Sequence, residues 1–292
     1  MKKLKDYMTK IINYFIQSIL VYSAFLLSRI IGLKLSRKIF SIFFCHLGPI
    51  FKSKKIVEKN LNNFSNIVPN IDKTLITNNM WKNYGMTFIE YIFLNNFRKN
   101  NHHITIKDDS DLSKIKLEKK PVIFISGHFA NFELMSMEIT KKDIPLATIY
   151  RPLNNFFLNP FMEYLRKKYI CENQIKKGIN GVRDAINYIK NNHCIALMID
   201  QRVSEGESVK FFNQSALTTT LPAQLSIKFD LEIVPVYIER DKKNNFHIEF
   251  YKRIDSKQFR NKLDLTKKLN EILEEMIVRN PSQWIWTHNR WK

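Results

Sequence analysis

With 292 residues and 45% hydrophobic content, the chain has enough apolar material for one large core or two smaller ones. Cys45, Cys171 and Cys194 are far apart and odd in number, which excludes a disulfide framework and a cysteine metal site and fits a reducing compartment. Only seven glycines are present and none forms a phosphate loop, so a dinucleotide or P-loop site is excluded, while a formal net charge of +20 calls for an acidic partner.

The N-terminus points to a membrane as one such partner. Ile11 to Ser28 is an uncharged, mostly apolar stretch of about the minimum length to cross a bilayer, and no small-residue cleavage site follows it. Lys2, Lys3, Lys5 and Lys10 precede it, and Arg29, Lys34, Arg37 and Lys38 follow. Basic residues on both sides leave the orientation rule undecided, and a retained monotopic anchor facing the cytoplasm is the simpler reading. Asn13, Gln17, Val21, Ala24 and Ser28 recur at helical spacing and predict the face that packs on the protein. A second apolar run, Ile39 to Phe44, continues the pattern, so residues 1–45 are expected to form the anchor and 46–292 a single catalytic domain.

From Lys54 to Phe97 the pattern is helical, with Pro69-Asn70-Ile71-Asp72 predicted to stop one helix and cap the next. Met80, Trp81, Tyr84, Phe88 and Ile92 share one face and are expected in the core. Phe97 to Lys119, with His102-His103 and the cluster Asp108-Asp109-Ser110-Asp111, is expected to be an exposed loop without a metal.

Pro121 to Ser126 is a short apolar run of buried-strand type, ended by Gly127 and His128. Glu133 lies five positions on. In one regular helix residues so spaced point about 140° apart. With His128 in a turn and Glu133 in the first turn of the next helix, the carboxylate can instead fold back to the imidazole and set its tautomer for general-base work. Gly127 would let a ligand approach the backbone.

Downstream, strands are predicted at Leu146 to Tyr150 and Cys194 to Ile199, and helices at Asn159 to Lys168 and Asn180 to Lys190. A strand pair at Ile233 to Glu239 and Phe246 to Tyr251, joined over Asp241 to Asn245, closes the sheet. This alternation predicts an α/β fold, a mostly parallel mixed sheet with helices on both faces, preceded by the hydrophobic helix. Polar residues gather after strand ends: His128, then Arg151, then Asp200 and Gln201, with Arg166 placed to join them. Arginines in such a crevice suit bidentate capture of phosphate.

The segment G-H-F-A-N-F-E at Gly127 to Glu133 resembles the H-x4-D/E motif of the glycerolipid-type acyltransferases, in the form used by the bacterial lipid A biosynthesis late acyltransferases. Y-R-P-L-N-N at Tyr150 to Asn155, I-D-Q at Ile199 to Gln201, F-F-N-Q-S-A-L-T-T-T from Phe211 and P-V-Y at Pro235 to Tyr237 are similar to that family's later motifs. The tail P-S-Q-W-I-W-T-H-N-R-W-K, with Asn270 and Glu274 upstream, is similar to its P-E-Q-W-x-W-x-H-R-R-W-K ending. Phe132 stands for the usual Trp, Lys210 for Pro, Asn213 for Gly and Asn289 for Arg, and the changes at 210 and 213 bear on the shape of that loop.

The resemblance implies a glycerol-3-phosphate-acyltransferase-like fold and a membrane-associated O-acyltransferase. The donor would be a fatty acyl thioester on acyl carrier protein, and the acceptor a hydroxyl of a lipid A precursor or related glycolipid. It implies His128 as base and Glu133 as its partner, with Gly127, Asn131, Arg151, Arg166, Asp200 and Gln201 binding substrate. It also implies no metal, no further cofactor and no nucleic acid. The expected protein is a monomer on the cytoplasmic face of a bacterial inner membrane, in contact with anionic lipids. A lysophospholipid acyltransferase shares the histidine-acid motif, although its F-P-E-G-T phosphate motif is absent here. A basic membrane-bound nucleic-acid binder would explain the charge alone. Trp284, Trp286 and Trp291 are expected to form a buried cluster that docks the C-terminus, with His288 structural.

Overall fold

The computed structural model describes residues 2–51, 54–107 and 110–292. Nine strands lie at Ile104–Lys107 (β1), Ile123–Ser126 (β2), Leu146–Tyr150 (β3), Asn173–Lys176 (β4), Cys194–Met198 (β5), Glu207–Phe211 (β6), Gln214–Thr218 (β7), Ile233–Arg240 (β8) and Phe246–Phe250 (β9). Eleven α-helices lie at Lys2–Ile31 (α1), Leu33–Phe51 (α2), Lys54–Ser65 (α3), Lys73–Glu90 (α4), Leu94–Lys99 (α5), Ser110–Glu118 (α6), Glu133–Lys141 (α7), Asn159–Tyr169 (α8), Ile179–Lys190 (α9), Leu221–Phe229 (α10) and Lys262–Arg279 (α11).

Seven strands form one sheet in the order β1-β9-β8-β2-β5-β3-β4, parallel throughout except for the β8–β9 hairpin. The predicted α/β architecture is therefore present. Central β2, Ile-Phe-Ile-Ser, is buried along its whole length between β5 and β8, which is why it reads as an unbroken apolar run. At the β8–β9 turn Asp241 Oδ1 accepts from the amides of Lys243 and Asn245, both at 2.8 Å, an Asx arrangement that closes the hairpin. Helices α7, α8 and α9 make the parallel crossovers. The C-terminal ends of β2, β3, β4 and β5 consequently open on one sheet edge, where Ser126 pairs with Met198 and Tyr150 with Lys176.

Three strand segments differ from expectation, one of them β4 at Asn173–Lys176, which pairs with β3 between the two expected helices. The stretch 97–119 is not a simple loop: β1 adds to the sheet edge beside β9, and α6 buries Leu112 and Ile115. Asp108 and Asp109 lie outside the described residues. His103 packs on the ring of Phe97 at 4.5 Å, and its burial pushes its pKa down to about 4. The third difference is a separate two-stranded sheet, β6–β7, turned by Phe212 and Asn213, both with positive φ (49° and 58°). A two-residue hairpin of this hand needs two such residues, and Asn tolerates the conformation that Gly usually supplies. Phe212 is held there because its amide donates to Glu274 Oε1 (2.8 Å) and its ring packs edge-on against Phe64.

The N-terminal helices are tied to this domain. Gly32 (φ 81°) breaks α1 from α2. Phe40 and Phe44 of α2 pack on Phe88 of α4, and Gly85 of α4 leaves no space for a side chain under the carbonyl of Phe40. The division drawn at residues 45 and 46 falls inside α2. Of the face predicted for α1, Val21, Ala24 and Ser28 do turn inward, but Asn13 and Gln17 are exposed. Tyr14 and Phe25 are the inward residues instead, because aromatic partners await them: Tyr14 meets Phe156, and Phe25 meets Phe88 and Phe161. The expected core face of α4 is found, with Met80 and Trp81 buried, and Asp72 caps that helix by accepting from Leu75 N at 2.8 Å.

Beneath the sheet, fully buried Glu90 of α4 receives Arg37 of α2 (2.6 Å), Arg240 of β8 (2.5 and 3.0 Å) and Asn131 (2.9 Å). This cluster joins α2, α4 and the sheet. Trp284, Trp286 and Trp291 form the expected buried cluster at the C-terminus.

Candidate active site

His128 leaves β2 at the open sheet edge. Because β2 and β5 run in register from Ile123↔Ile195 to Ser126↔Met198, the residues that follow each strand stay side by side, and Asp200 arrives next to His128. Asp200 Oδ1 lies 2.7 Å from His128 Nδ1, and Oδ2 accepts the His128 backbone amide at 2.9 Å. Oδ2 also accepts from the indole Nε1 of Trp284 at 2.8 Å. Asp200 is 2% exposed, so this carboxylate is consumed inside the protein. The imidazole is 19% exposed, with its ring edge-on to Phe132 at 4.6 Å. With Nδ1 committed to Asp200, Nε2 is the nitrogen left for a ligand.

The ring's carboxylate partner is thus Asp200, where sequence spacing had indicated Glu133. The turn from 127 to 132 is tight: Phe129 N donates to Gly127 O (2.8 Å) and Ala130 takes φ 42°. Glu133 therefore opens α7 pointing toward α8. Its Oε1 accepts from Tyr91 (2.5 Å) and from Arg166 Nε (2.7 Å) and pairs in charge with Arg166 Nη2 at 2.7 Å, while Nη2 donates to the Tyr91 hydroxyl at 3.0 Å. Arg166 is also stacked between the rings of Tyr91 and Tyr150, at 5.6 and 5.5 Å. Glu133 and Arg166 act on His128 through charge, in opposite directions.

Burial disfavours a charged imidazole, but the charge and hydrogen bond of Asp200 outweigh it and lift the His128 pKa above 6.5. Burial would likewise raise the Asp200 pKa, yet His128 and the donors around the carboxylate hold it below 3.8. Burial lowers the pKa of His288, whose Nε2 accepts the Arg202 amide at 2.9 Å.

The remaining residues expected to meet substrate divide sharply. Asp200 is the imidazole's partner and not a headgroup ligand. Asn131 is buried and donates to Glu90, because the turn after His128 directs it inward. Gly127 is buried too, and a Cβ there would come against the ring of Phe129 at 2.8 Å and the side chain of Leu273 at 3.0 Å. Arg166 is spent on Glu133 and Tyr91. Arg151 is exposed at the same sheet edge, beyond Tyr150, and carries no ion pair among the described residues, while Gln201 is half-buried beside Asp200.

Tyr91 and Trp284 were missed as site residues. Trp284 lay in a tail segment whose aromatic content signalled docking, and nothing local showed that its N–H would meet Asp200. Among the described residues no group of three or more His, Cys, Asp or Glu side chains could hold a metal ion.

A sequence model of the family described as bacterial lipid A biosynthesis acyltransferase matches residues 2–292. No curated protein sequence matches the chain significantly. Among solved structures, the crystal structure of a 1-acyl-sn-glycerophosphate acyltransferase, PlsC, from Thermotoga maritima is similar at 12% identity and a TM-score of 0.42, with 87% of this chain and 100% of that chain covered.

Proposed function

The chain belongs to the bacterial lipid A biosynthesis acyltransferase family and is an acyltransferase, and from that premise we propose that it moves a fatty acyl chain from acyl carrier protein to a hydroxyl of a lipid A precursor. The observation that carries the mechanism is the His128–Asp200 contact at the open sheet edge. His128 donates from Nδ1 to Asp200, so the Nε2 lone pair takes the proton of the acceptor hydroxyl as its oxygen attacks the thioester carbonyl carbon. The new C–O bond forms, the C–S bond breaks, and the same Nε2 returns the proton to the departing sulfur. Asp200 holds the ring and stabilises its charged form, the role of the acid in hydrolase triads. Glu133 adds negative charge nearby and is itself fixed by Arg166 and Tyr91. Arg151, exposed at this edge and without an ion pair among the described residues, is the side chain we assign to an acceptor phosphate.

Charge and apolar surface support the location. A net charge of +20 attracts both an acidic carrier protein and an anionic leaflet. Helix α1 is apolar enough to cross a membrane, yet from Tyr14 to Phe25 it is docked along the segment that follows β3. Ser18 donates to Asn155 (3.1 Å), Asn155 to the Tyr14 carbonyl (2.9 Å), and Tyr22 to the Phe157 carbonyl (2.8 Å). A helix held along this length favours a monotopic anchor, with its outer face, including Ile16, Leu20 and Leu26, in one leaflet. We place the protein on the cytoplasmic face of a bacterial inner membrane, as a monomer that needs no cofactor.

Purified protein given an acyl carrier protein thioester and either a lipid A precursor or lysophosphatidic acid tests this reading. Acylation of the glucosamine acceptor is expected, and His128→Ala should abolish it while the protein stays folded. Acylation of lysophosphatidic acid alone would reassign the acceptor, and undiminished turnover by His128→Ala would reject the base.

A further inference from the structure

Nothing about a C-terminal tail implies a part in proton transfer, but the tail of this protein touches Asp200 and the turn that follows His128. We propose that Trp284 is a positioning residue for His128 and Asp200: its indole N–H holds Asp200 Oδ2 so that Oδ1 is presented to the imidazole. The inference rests on His128 as the base and adds a residue to that site.

Three observations carry it. First, the buried carboxylate of Asp200 has three donors, the His128 amide, His128 Nδ1 and Trp284 Nε1, and only the last comes from outside the two strands that bear the pair. A buried carboxylate without its full complement of donors is costly and free to turn. Second, the same tail segment holds the histidine through the backbone: Phe129 and Trp284 form an antiparallel bridge, and Ala130 N donates to Gln283 O at 3.1 Å. Gln283 is in turn locked to Arg240 of β8 by two hydrogen bonds of 2.7 Å, so the tail cannot slide without breaking the sheet's edge contacts. Third, Trp284 is 2% exposed, edge-on to Trp286 at 4.6 Å and tilted against Phe211 at 6.2 Å. Phenylalanine would serve that packing almost as well, so the N–H directed at Asp200 is what distinguishes tryptophan here.

The positioning role gives the effect its sign. Without the indole partner Asp200 is free to turn and supports the imidazolium less, so the acid limb of the pH–rate profile should move to lower pH. Trp284→Phe is therefore expected to lower kcat by roughly 10- to 100-fold, the range for a hydrogen bond to a charged group, with KM little changed and the acid limb shifted downward. Trp286→Phe is the control, since its N–H goes to the Pro281 carbonyl (2.7 Å) in the same cluster; it should leave the limb in place. A wild-type pH profile in Trp284→Phe, or an equal shift in both variants, would overturn the proposal.

Proton NMR of the unaltered protein gives a second measurement that does not depend on a variant folding. The chain has four tryptophans, and one indole N–H resonance should move with pH at the midpoint of the rate profile. Four indole resonances indifferent to pH through that range would overturn the proposal. In His128→Ala the moving resonance should become still. If that variant nevertheless keeps full turnover, the base assignment fails while the titration stands as the test of the indole contact.

Discussion

His128 takes its orientation from a carboxylate 72 positions away and not from the acid five positions downstream. That exchange separates the expected behaviour of the two acids. Asp200 faces the ring directly, so Asp200→Asn should remove most activity and, by taking away the charge that favours the imidazolium, move the acid limb to lower pH. The proposed base role requires a neutral imidazole, and because the His128 pKa is raised above 6.5, kcat/KM is expected to fall as pH drops through a midpoint above 6.5. Glu133 instead neutralises the largely buried guanidinium of Arg166. Glu133→Ala should therefore lose stability as well as activity, by about 3–5 kcal/mol, the range for a buried charge left without its partner. Denaturant unfolding of Asp200→Asn and Glu133→Ala side by side distinguishes the two roles.

Among the elements, α4 carries the heaviest burden beneath the site. Glu90 near its end is fully buried with two guanidiniums, one from α2 and one from β8, and its other oxygen holds Asn131 in the turn after His128. Thr87 of the same helix donates to the Ala130 carbonyl at 3.0 Å, so α4 braces the turn after His128 at two points. Removing Glu90 strands Arg37 and Arg240 in the interior. Glu90→Ala should cost about 3–5 kcal/mol in chemical denaturation and lower kcat without altering the pH midpoint, because Asp200 is untouched. The β6–β7 hairpin illustrates the same dependence on partners. Phe212 adopts a left-handed conformation that a bulky residue rarely takes, and Glu274 of α11 and Phe64 of α3 hold it there.

Over the whole molecule, the apolar outer face of α1 and the basic charge act together. Binding to anionic vesicles should be strong at low ionic strength and weaken with added salt, since part of it is electrostatic. Leu20 and Leu26 are 64% and 66% exposed, so replacing both by Glu should release the protein from vesicles in a sedimentation assay without changing its thermal midpoint. Much of this arrangement was legible in the sequence. The apolar run at 123–126 and the strand at 146–150 could be read from hydrophobic pattern, as could the capped helix after Asp72, the apolar first helix and the tryptophan cluster, because burial and capping leave local periodic signatures. His128 was legible too, since a histidine ending a buried strand is a local feature. Which carboxylate meets it was not. The parallel register of β2 with β5 sets Asp200 beside the imidazole, the tight turn at Ala130 sends Glu133 toward Arg166, and the return of the chain end lays Trp284 against Asp200. Each of these is a contact between residues far apart in sequence, where only the packed structure can decide which donor meets which acceptor.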